Sequence, residues 1–376
     1  MYRTFKYRIY ANKEILAKTE NWLELCRNLY NCALEQRIDA WKRQRITLFE
    51  YAQSAELPLI KQTNLEYKYV NAQTLQEVLE RLELAYKKFF KRRVNHEGKG
   101  GFPRFKGKNR YDSFTLKNTG WKLDGKYISI RHLGKFKLKL SREIQGDIKT
   151  ITICKSKTNH WYACFSCDNI SEKRLTQSDK IIGIDVGIRS FLTDSEGDKV
   201  ENPKFLKHTL RELRVRQRAL VRNKRNSNRR KETKLQLSKC YEKITNQRKD
   251  FHYKLANQYV ENYGVISIEN LNISGLVKNH KLARDIKDCA WGNFIEILKF
   301  KAEEAGRQVI EVNPHNTSKM CSNCGKINTF LKLSDREWAC LECGTIHDRD
   351  ENAAINIKRL GQSRQTLTCQ NTESVV

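Results

Sequence analysis

At 376 residues, with 39% hydrophobic and 10% aromatic residues, the chain is long enough for two or three domains with real cores, which argues against wholesale disorder. Lys and Arg outnumber Asp and Glu by 72 to 43, a formal charge of +29. A compact chain relieves such self-repulsion by binding a polyanion, and DNA or RNA is favoured over a membrane surface or a ribosomal role. No apolar run approaches the ~20 residues that span a bilayer, and Met1 to Lys6 hold no signal-peptide apolar stretch, so a cytoplasmic, nucleoid-associated protein is expected.

The chain opens on alternation, Phe5, Tyr7 and Ile9 against Lys6 and Arg8, which predicts a half-buried strand. From Lys13 to about Arg45 the period becomes helical, with Trp22, Cys26, Leu29, Tyr30 and Ala33 on one face. Pro58 interrupts, and Leu75, Val78, Leu79, Leu82, Tyr86 and Phe89 mark a second helical stripe, so residues 12–95 form a helical block. A loop follows in which Gly98, Gly100, Gly101, Pro103 and Gly107 alternate with Lys99, Arg104, Lys106, Lys108 and Arg110. Alternation returns at Tyr127–Ile130, Lys135–Leu140 and His160–Phe165, predicting a small β-barrel that the first strand joins and that ends near Asn169.

After a polar linker, Ser171 to Asp179, comes the apolar run Ile181-Ile182-Gly183-Ile184-Asp185-Val186. Residues 204–254 carry eighteen Lys and Arg against four acids, with leucines and valines at helical spacing. Two basic helices broken near Asn226-Ser227-Asn228 are expected, and the charge density favours nucleic-acid contact over a merely solvated face. Arg222, Lys224, Arg225, Arg229 and Arg230, with Arg104 and Lys106 from the earlier loop, are the candidate phosphate contacts. A second strand, Val265–Glu269, a helix from Trp291 to Ala305 and a third strand, Gln308–Val312, follow. The remainder reads as a cysteine-rich insert, a helix from Glu351 to Leu360 and a disordered polar tail over 362–376.

A reducing compartment disfavours disulfides among the twelve cysteines, and their spacing points to metal binding. Cys321-x-x-Cys324 and Cys340-x-x-Cys343, each closed by a glycine (Gly325, Gly344), form two knuckles able to surround one tetrahedral zinc ion. With all four positions filled by thiolates, that ion is structural. Cys164 and Cys167 are set aside, because on a strand this spacing sends their sulfurs to opposite faces. Packing is expected for Cys26, Cys32 and Cys154.

The acids carry the catalytic argument. Asp185 sits in an apolar strand, where an uncompensated carboxylate costs on the order of several kcal/mol, and Glu269 repeats the situation at the end of another. One such acid is usually a strand end reaching solvent; a divalent metal such as Mg2+ explains both together. Either Asp348 or Asp350, before the last helix, completes the set, although Asp at a helix start is often simply an N-cap.

Gly183-Ile184-Asp185-Val186-Gly187, then Ile268-Glu269-Asn270-Leu271, then Asp350-x-Asn352-Ala353 resemble the split active site of a RuvC-type nuclease in an RNase H-like fold. Thr317-Ser318 ahead of Cys321, the zinc knuckles, and Gly101-Phe102-Pro103-Arg104-Phe105-Lys106 narrow the resemblance to the TnpB family, once called OrfB transposases and related to type V CRISPR effectors. The resemblance implies that Asp185, Glu269 and Asp350 are catalytic and that Cys321, Cys324, Cys340 and Cys343 hold zinc. It implies a mixed α/β architecture: a RuvC-like nuclease domain split over 178–316 and 346–361, with a zinc ribbon at 317–345. A wedge-like barrel at 1–11 and 96–170 carries a helical recognition lobe at 12–95. The activity implied is RNA-guided cleavage of double-stranded DNA beside a short motif, directed by a transposon-end guide RNA. Two Mg2+ ions bridged by Asp185 would serve hydrolysis. The alternative is a nuclease-inactive or accessory transposition protein that binds nucleic acid without cutting. One departure is the strand end His132-Leu133-Gly134-Lys135, which lacks an expected proline.

Overall fold

The computed structural model describes residues 2–95, 101–108, 110–171, 174–332 and 334–373, with backbone alone from 366 onward. Gly98, Lys99 and Gly100 of the expected glycine-rich loop lie outside the described residues, as do linker residues 172 and 173. The chain divides into two compact units, Met1–Ser171 and Glu172–Val376.

The first unit runs β1 (Arg3–Tyr10), α1 (Lys13–Gln44), α2 (Glu50–Ala55), α3 (Leu57–Thr63), a 3-10 turn (Leu65–Tyr69) and α4 (Ala72–Val94). Six strands follow: β2 (Ser113–Leu116), β3 (Trp121–Asp124), β4 (Tyr127–Ile130), β5 (Gly134–Lys139), β6 (Asp147–Lys155) and β7 (Trp161–Asp168). All seven form one antiparallel sheet in the order β2-β6-β7-β1-β5-β4-β3. The expected small barrel takes the form of a half-barrel sheet: among the described residues its edge strands β2 and β3 are not paired with each other. The alternation of β1 works as read: Phe5, Tyr7 and Ile9 are buried, with Phe5 opposite Phe165 on β7. Asn12 caps α1 by accepting from the Ile15 amide at 2.8 Å. The stripes of α1 and α4 meet in the core shared with the sheet, and Arg37 pairs with Glu83 at 2.7 Å within that contact. Pro58 falls in the first turn of α3, where a missing amide costs nothing. Cys26 is buried as expected, but Cys32 is exposed rather than packed.

The second unit holds β8 (Ile181–Val186), β9 (Ser190–Asp194), β10 (Lys199–Glu201), α5 (Phe205–Arg222), α6 (Asn228–Asn262) and β11 (Val265–Glu269). It continues with α7 (Ile273–Leu276), α8 (Ala283–Cys289), α9 (Trp291–Ala305), β12 (Gln308–Val312), the short pair β13 (Glu337–Ala339) and β14 (Ile346–Asp348), and α10 (Arg349–Glu373). Its sheet has the order β10-β9-β8-β11-β12, with β8, β11 and β12 mutually parallel and α9 as the crossover between the last two.

Both faces of the three parallel strands are covered, which is why they read as continuous apolar runs. Ile182, Ile184, Ile266 and Ile268 pack with residues of α6 and α9, whereas Ile181, Val265, Ile310 and Val312 pack with Ile357 of α10. The basic helices α5 and α6 break where expected, with Ser227 capping α6 through the Arg230 amide. One expectation is corrected: the helix predicted to stop at Leu360 continues to Glu373, so residues 362–373 of the expected tail are helical, and 374–376 lie outside the described residues. Among the described residues, no helix is long and apolar enough to cross a membrane.

Candidate active site

Alternation fixes which way the strand acids point. Ile181, Gly183 and Asp185 lie on one face of β8, and Val265, Ser267 and Glu269 on the same face of β11, since Val265 aligns with Ile181 and Ser267 with Gly183. The last paired residues are Ile184 and Ile268, so each acid stands one residue beyond the pairing, at the C-terminal end of its strand. The helix that covers this face is α10. It sits unusually close: a Cβ on Gly183 would lie 2.1 Å from the Ala354 carbonyl oxygen, and one on Gly361 would lie 1.8 Å from Ser267 Oγ. Glycine at these two positions lets the helix backbone approach the sheet.

The N-terminus of α10 settles the roles of its two aspartates. Asp348 Oδ1 accepts from the amides of Asp350 and Glu351 at 3.0 and 3.1 Å, and its other oxygen binds Lys199 at 2.7 Å. Burial raises the Asp348 pKa, but the Lys199 hydrogen bond and the helix amides outweigh it and leave it below the usual value. Asp348 is thus the cap, leaving Asp350 in the first turn.

Asp185 titrates well above the ordinary carboxylate range: burial is the main cause, and the negative charges of Glu269 and Asp350 add to it. Arg349 and Arg336 offset part of that rise. Glu269 is also raised by burial, against a hydrogen bond from Thr317 of 2.5 Å. Three carboxylates, two of them near enough to raise the pKa of the third, Asp185, form a donor set that suits a hard divalent cation. The carboxylates do not close as tightly as the thiols below, and Asp350 Oδ1 meets Arg336 Nη1 at 3.3 Å. Neither Arg336 nor Thr317 was assigned a role from sequence. No pattern in the sequence ties an arginine in the cysteine insert to an acid fourteen residues later.

Cys321, Cys324, Cys340 and Cys343 gather their sulfurs within 4.8 Å of one another. Separations of 3.7 Å for Cys321–Cys343 and 3.5 Å for Cys324–Cys340 are close to the edge of about 3.8 Å of a tetrahedron with zinc–sulfur bonds of about 2.3 Å. Gly325 and Gly344 adopt φ of +79° and +70°, and their amides bond the carbonyls of Cys321 and Cys340, both at 2.9 Å, which makes the two knuckles. His347 Nε2 lies 3.0 Å from Cys321 Sγ and its ring packs on Trp338 with centroids 4.8 Å apart, an outer contact that sequence reading missed. The donor set and its spacing fit one structural zinc ion. By contrast, Cys164 and Cys167 face opposite sides of β7, Cys167 in the core.

The candidate phosphate contacts divide. Arg104 is exposed, as are Arg222, Lys224, Arg225 and Arg229 around the turn between α5 and α6. Arg230 instead turns back to donate to the carbonyls of Leu220 and Asn223, closing the end of α5. Lys106 is pinned to α1: its amide and carbonyl both bond the Asn31 side chain, at 2.7 and 3.0 Å, and its ammonium lies over the Tyr30 ring.

Three family profiles match the chain: "Helix-turn-helix domain" of OrfB_IS605 over residues 1–45, "Probable transposase" of OrfB_IS605 over 164–280, and "Cas12f1-like, TNB domain" over 291–357. A candidate RNA-guided DNA endonuclease of Streptomyces pristinaespiralis is 31% identical over 369 residues, covering 96% of this chain and 89% of its own. This chain belongs to the TnpB family. Another member-like relative, the candidate RNA-guided DNA endonuclease InsQ of Escherichia coli K12, is 26% identical and covers 98% of this TnpB-family chain and 94% of its own. Among solved structures, CasPhi-2 (Cas12j) bound to crRNA aligns at a TM-score of 0.46 and 11% identity, covering 96% of this chain and 98% of that one.

Proposed function

We propose that this TnpB-family chain is a transposon-encoded, RNA-guided DNA endonuclease, and that its second unit is a RuvC-like nuclease of RNase H-like fold. The observation that carries the proposal is that Asp185 and Glu269 share one face at neighbouring strand ends, covered by the helix whose first turn holds Asp350, and that the charges of Glu269 and Asp350 raise the pKa of Asp185. A divalent cation would offset the electrostatic cost of gathering these carboxylates. The near full-length match to two relatives named as candidate RNA-guided DNA endonucleases supports the activity and both partners, guide RNA and target DNA.

In this reading Asp185, Glu269 and Asp350 would hold two Mg2+ ions. When bound, such ions supply an activated water and neutralise charge on the phosphate and on the leaving oxygen. The chain supplies the rest. The strand ends and the α10 cap set the three carboxylates, and Arg349 and Arg336 place positive charge beside them for the phosphate backbone. Exposed Arg222, Lys224, Arg225 and Arg229, with Arg104 in the first unit, neutralise phosphates of DNA or of the RNA–DNA hybrid. Cys321, Cys324, Cys340 and Cys343 would hold a zinc ion that keeps residues 317–345 folded ahead of the third acid. The first unit then divides into a wedge-like sheet and a helical recognition lobe.

The test uses the protein purified with the RNA it carries from cells. That RNA is sequenced, and a plasmid bearing the matching target is added with Mg2+. Wild type is expected to carry a defined transposon-end transcript and to cut. Asp185→Ala is expected to keep the RNA and lose cleavage. A cutting Asp185→Ala variant overturns the site, and a wild type that shifts the plasmid without cutting overturns the activity.

A further inference from the structure

Between β12 and Cys321 the chain passes the acids once more, at Thr317. This residue is 2% exposed, and its hydroxyl is 2.5 Å from Glu269 Oε1 and 3.2 Å from the Pro314 carbonyl. A hydroxyl has one proton, and the shorter contact to a carboxylate takes it. On its other side, the Thr317 carbonyl accepts from Asn356 Nδ2 at 2.9 Å, and the same nitrogen reaches the Met320 carbonyl at 2.7 Å. Asn352 Nδ2 also donates to Met320 at 2.8 Å, while its oxygen accepts from the Ser322 amide at 2.8 Å.

Both asparagines belong to α10, one turn apart, two and six residues after Asp350, and they are 1% and 0% exposed. Buried amides in this arrangement fix a chain segment rather than decorate it. One run of side chains therefore joins Glu269 to the helix that carries Asp350, and joins both to the knuckle that begins at Cys321.

We propose that Thr317 is a positioning residue for Glu269: its hydroxyl holds Oε1 and one rotamer of the carboxylate, leaving Oε2 for a divalent cation shared with Asp185 and Asp350. The inference rests on the metal-dependent site proposed above. Glutamate has three side-chain torsions, and an unsupported one would sample several rotamers before a cation could be shared. Through Asn352 and Asn356, the same setting depends on the fold of the cysteine cluster.

The test measures Mn2+ binding to the full-length, RNA-free chain by electron paramagnetic resonance, with Asp185→Ala as the background. Cleavage of the target plasmid is then titrated with Mg2+. Thr317→Val, isosteric but without the hydroxyl, is expected to weaken the Asp185-dependent Mn2+ site and to raise the Mg2+ needed for half-maximal cleavage, each about tenfold. Thr317→Ser is expected to stay near wild type. Zinc content measured in each variant shows that the cysteine cluster is intact. Thr317→Ala, which adds no methyl against Glu269, is the second variant and should show the same loss. Wild-type Mn2+ affinity in Thr317→Val and Thr317→Ala, or equal loss in Thr317→Ser, overturns the role of the hydroxyl alone. Absence of any Asp185-dependent Mn2+ site in wild type overturns the proposed active site as well.

Discussion

Gly183→Ala tests whether the seat of α10 sets the position of the third acid. The added Cβ would stand 2.1 Å from the Ala354 carbonyl oxygen, 2.5 Å from the Lys358 amide nitrogen and 2.9 Å from Lys358 Cβ. Ordinary contact begins at 3.4 Å, and two of these three neighbours are helix backbone, so no side-chain rotation relieves the clash. The helix must retreat by about 1.3 Å. Overpacking of this kind costs about 1–3 kcal/mol. At roughly 2–4 °C per kcal/mol for a unit of this size, Tm should fall by about 2–12 °C. Asp350 lies one turn before Ala354 on the same helix, so it moves with the helix, and a misplacement of about 1 Å costs on the order of 100-fold in rate. The assay pairs thermal unfolding with plasmid cleavage. Gly292→Ala is the control: within α9 its Cβ would meet only Ile273 Cδ1, at 3.3 Å, and alanine in a helix gains up to about 1 kcal/mol. Unchanged melting and unchanged cleavage in Gly183→Ala would refute the argument that this close approach positions the site.

Removing zinc with a chelator, or replacing Cys340 by Ser, should drop the zinc content below one per chain and abolish cleavage, because the knuckle at Cys321 loosens and weakens the bonds by which Asn352 and Asn356 hold residues 317–322; full cleavage by zinc-free protein would speak against it. Asp185 and Glu269 have folded pKa values above their unfolded ones, so the stability they contribute is complete below about pH 4 and is lost as pH rises through the raised values. Mg2+ should restore it, so the Mg2+-induced rise in Tm should grow as pH rises through the raised values; a pH-independent rise would contradict the raised carboxylates. Burial pushes His252 down to about 4, where it stays neutral against the Cys289 carbonyl and among Phe191, Phe251 and Phe294. The stability it contributes is present above about pH 6.5 and disappears as pH falls through about 4. His252→Phe should shift the acid unfolding midpoint downward, and an unmoved midpoint would assign acid unfolding to other groups.

The elements legible in the sequence were those whose periodicity or spacing is their own cause. The alternation of β1, the stripes of α1 and α4 and the apolar runs of β8 and β11 each follow from one-sided or two-sided burial. The cysteine spacing gave the metal cluster, since the knuckle is a local structure. Asp185 and Glu269 stood out because charged residues in apolar strands are costly. The choice of Asp350 over Asp348 came from family likeness, and the structure supplies a physical reason in the capping bonds of Asp348.

What stayed hidden depends on contacts between distant residues. β6 is not legible in the sequence, because four of its nine residues are threonines and lysines and a register shift between Ile148 and Thr150 breaks its alternation. Alternation marks the strands of the first sheet, but how far the sheet curls round depends on whether β2 and β3 pair, which no local pattern encodes. The arginine at 230 looked like its neighbours in the charge run, and only the turn geometry shows that it closes α5. The helix beyond Leu360 carries few apolar residues, so its pattern read as tail.

The central claim is that Asp185, Glu269 and Asp350 share divalent cations. A crystal of the full-length protein grown or soaked in Mn2+ tests it directly through anomalous scattering at the manganese edge. Two peaks about 3.5–4 Å apart are expected, each touching Asp185, with Glu269 on one side and Asp350 on the other. Manganese bound elsewhere, with no peak against Asp185, would contradict it.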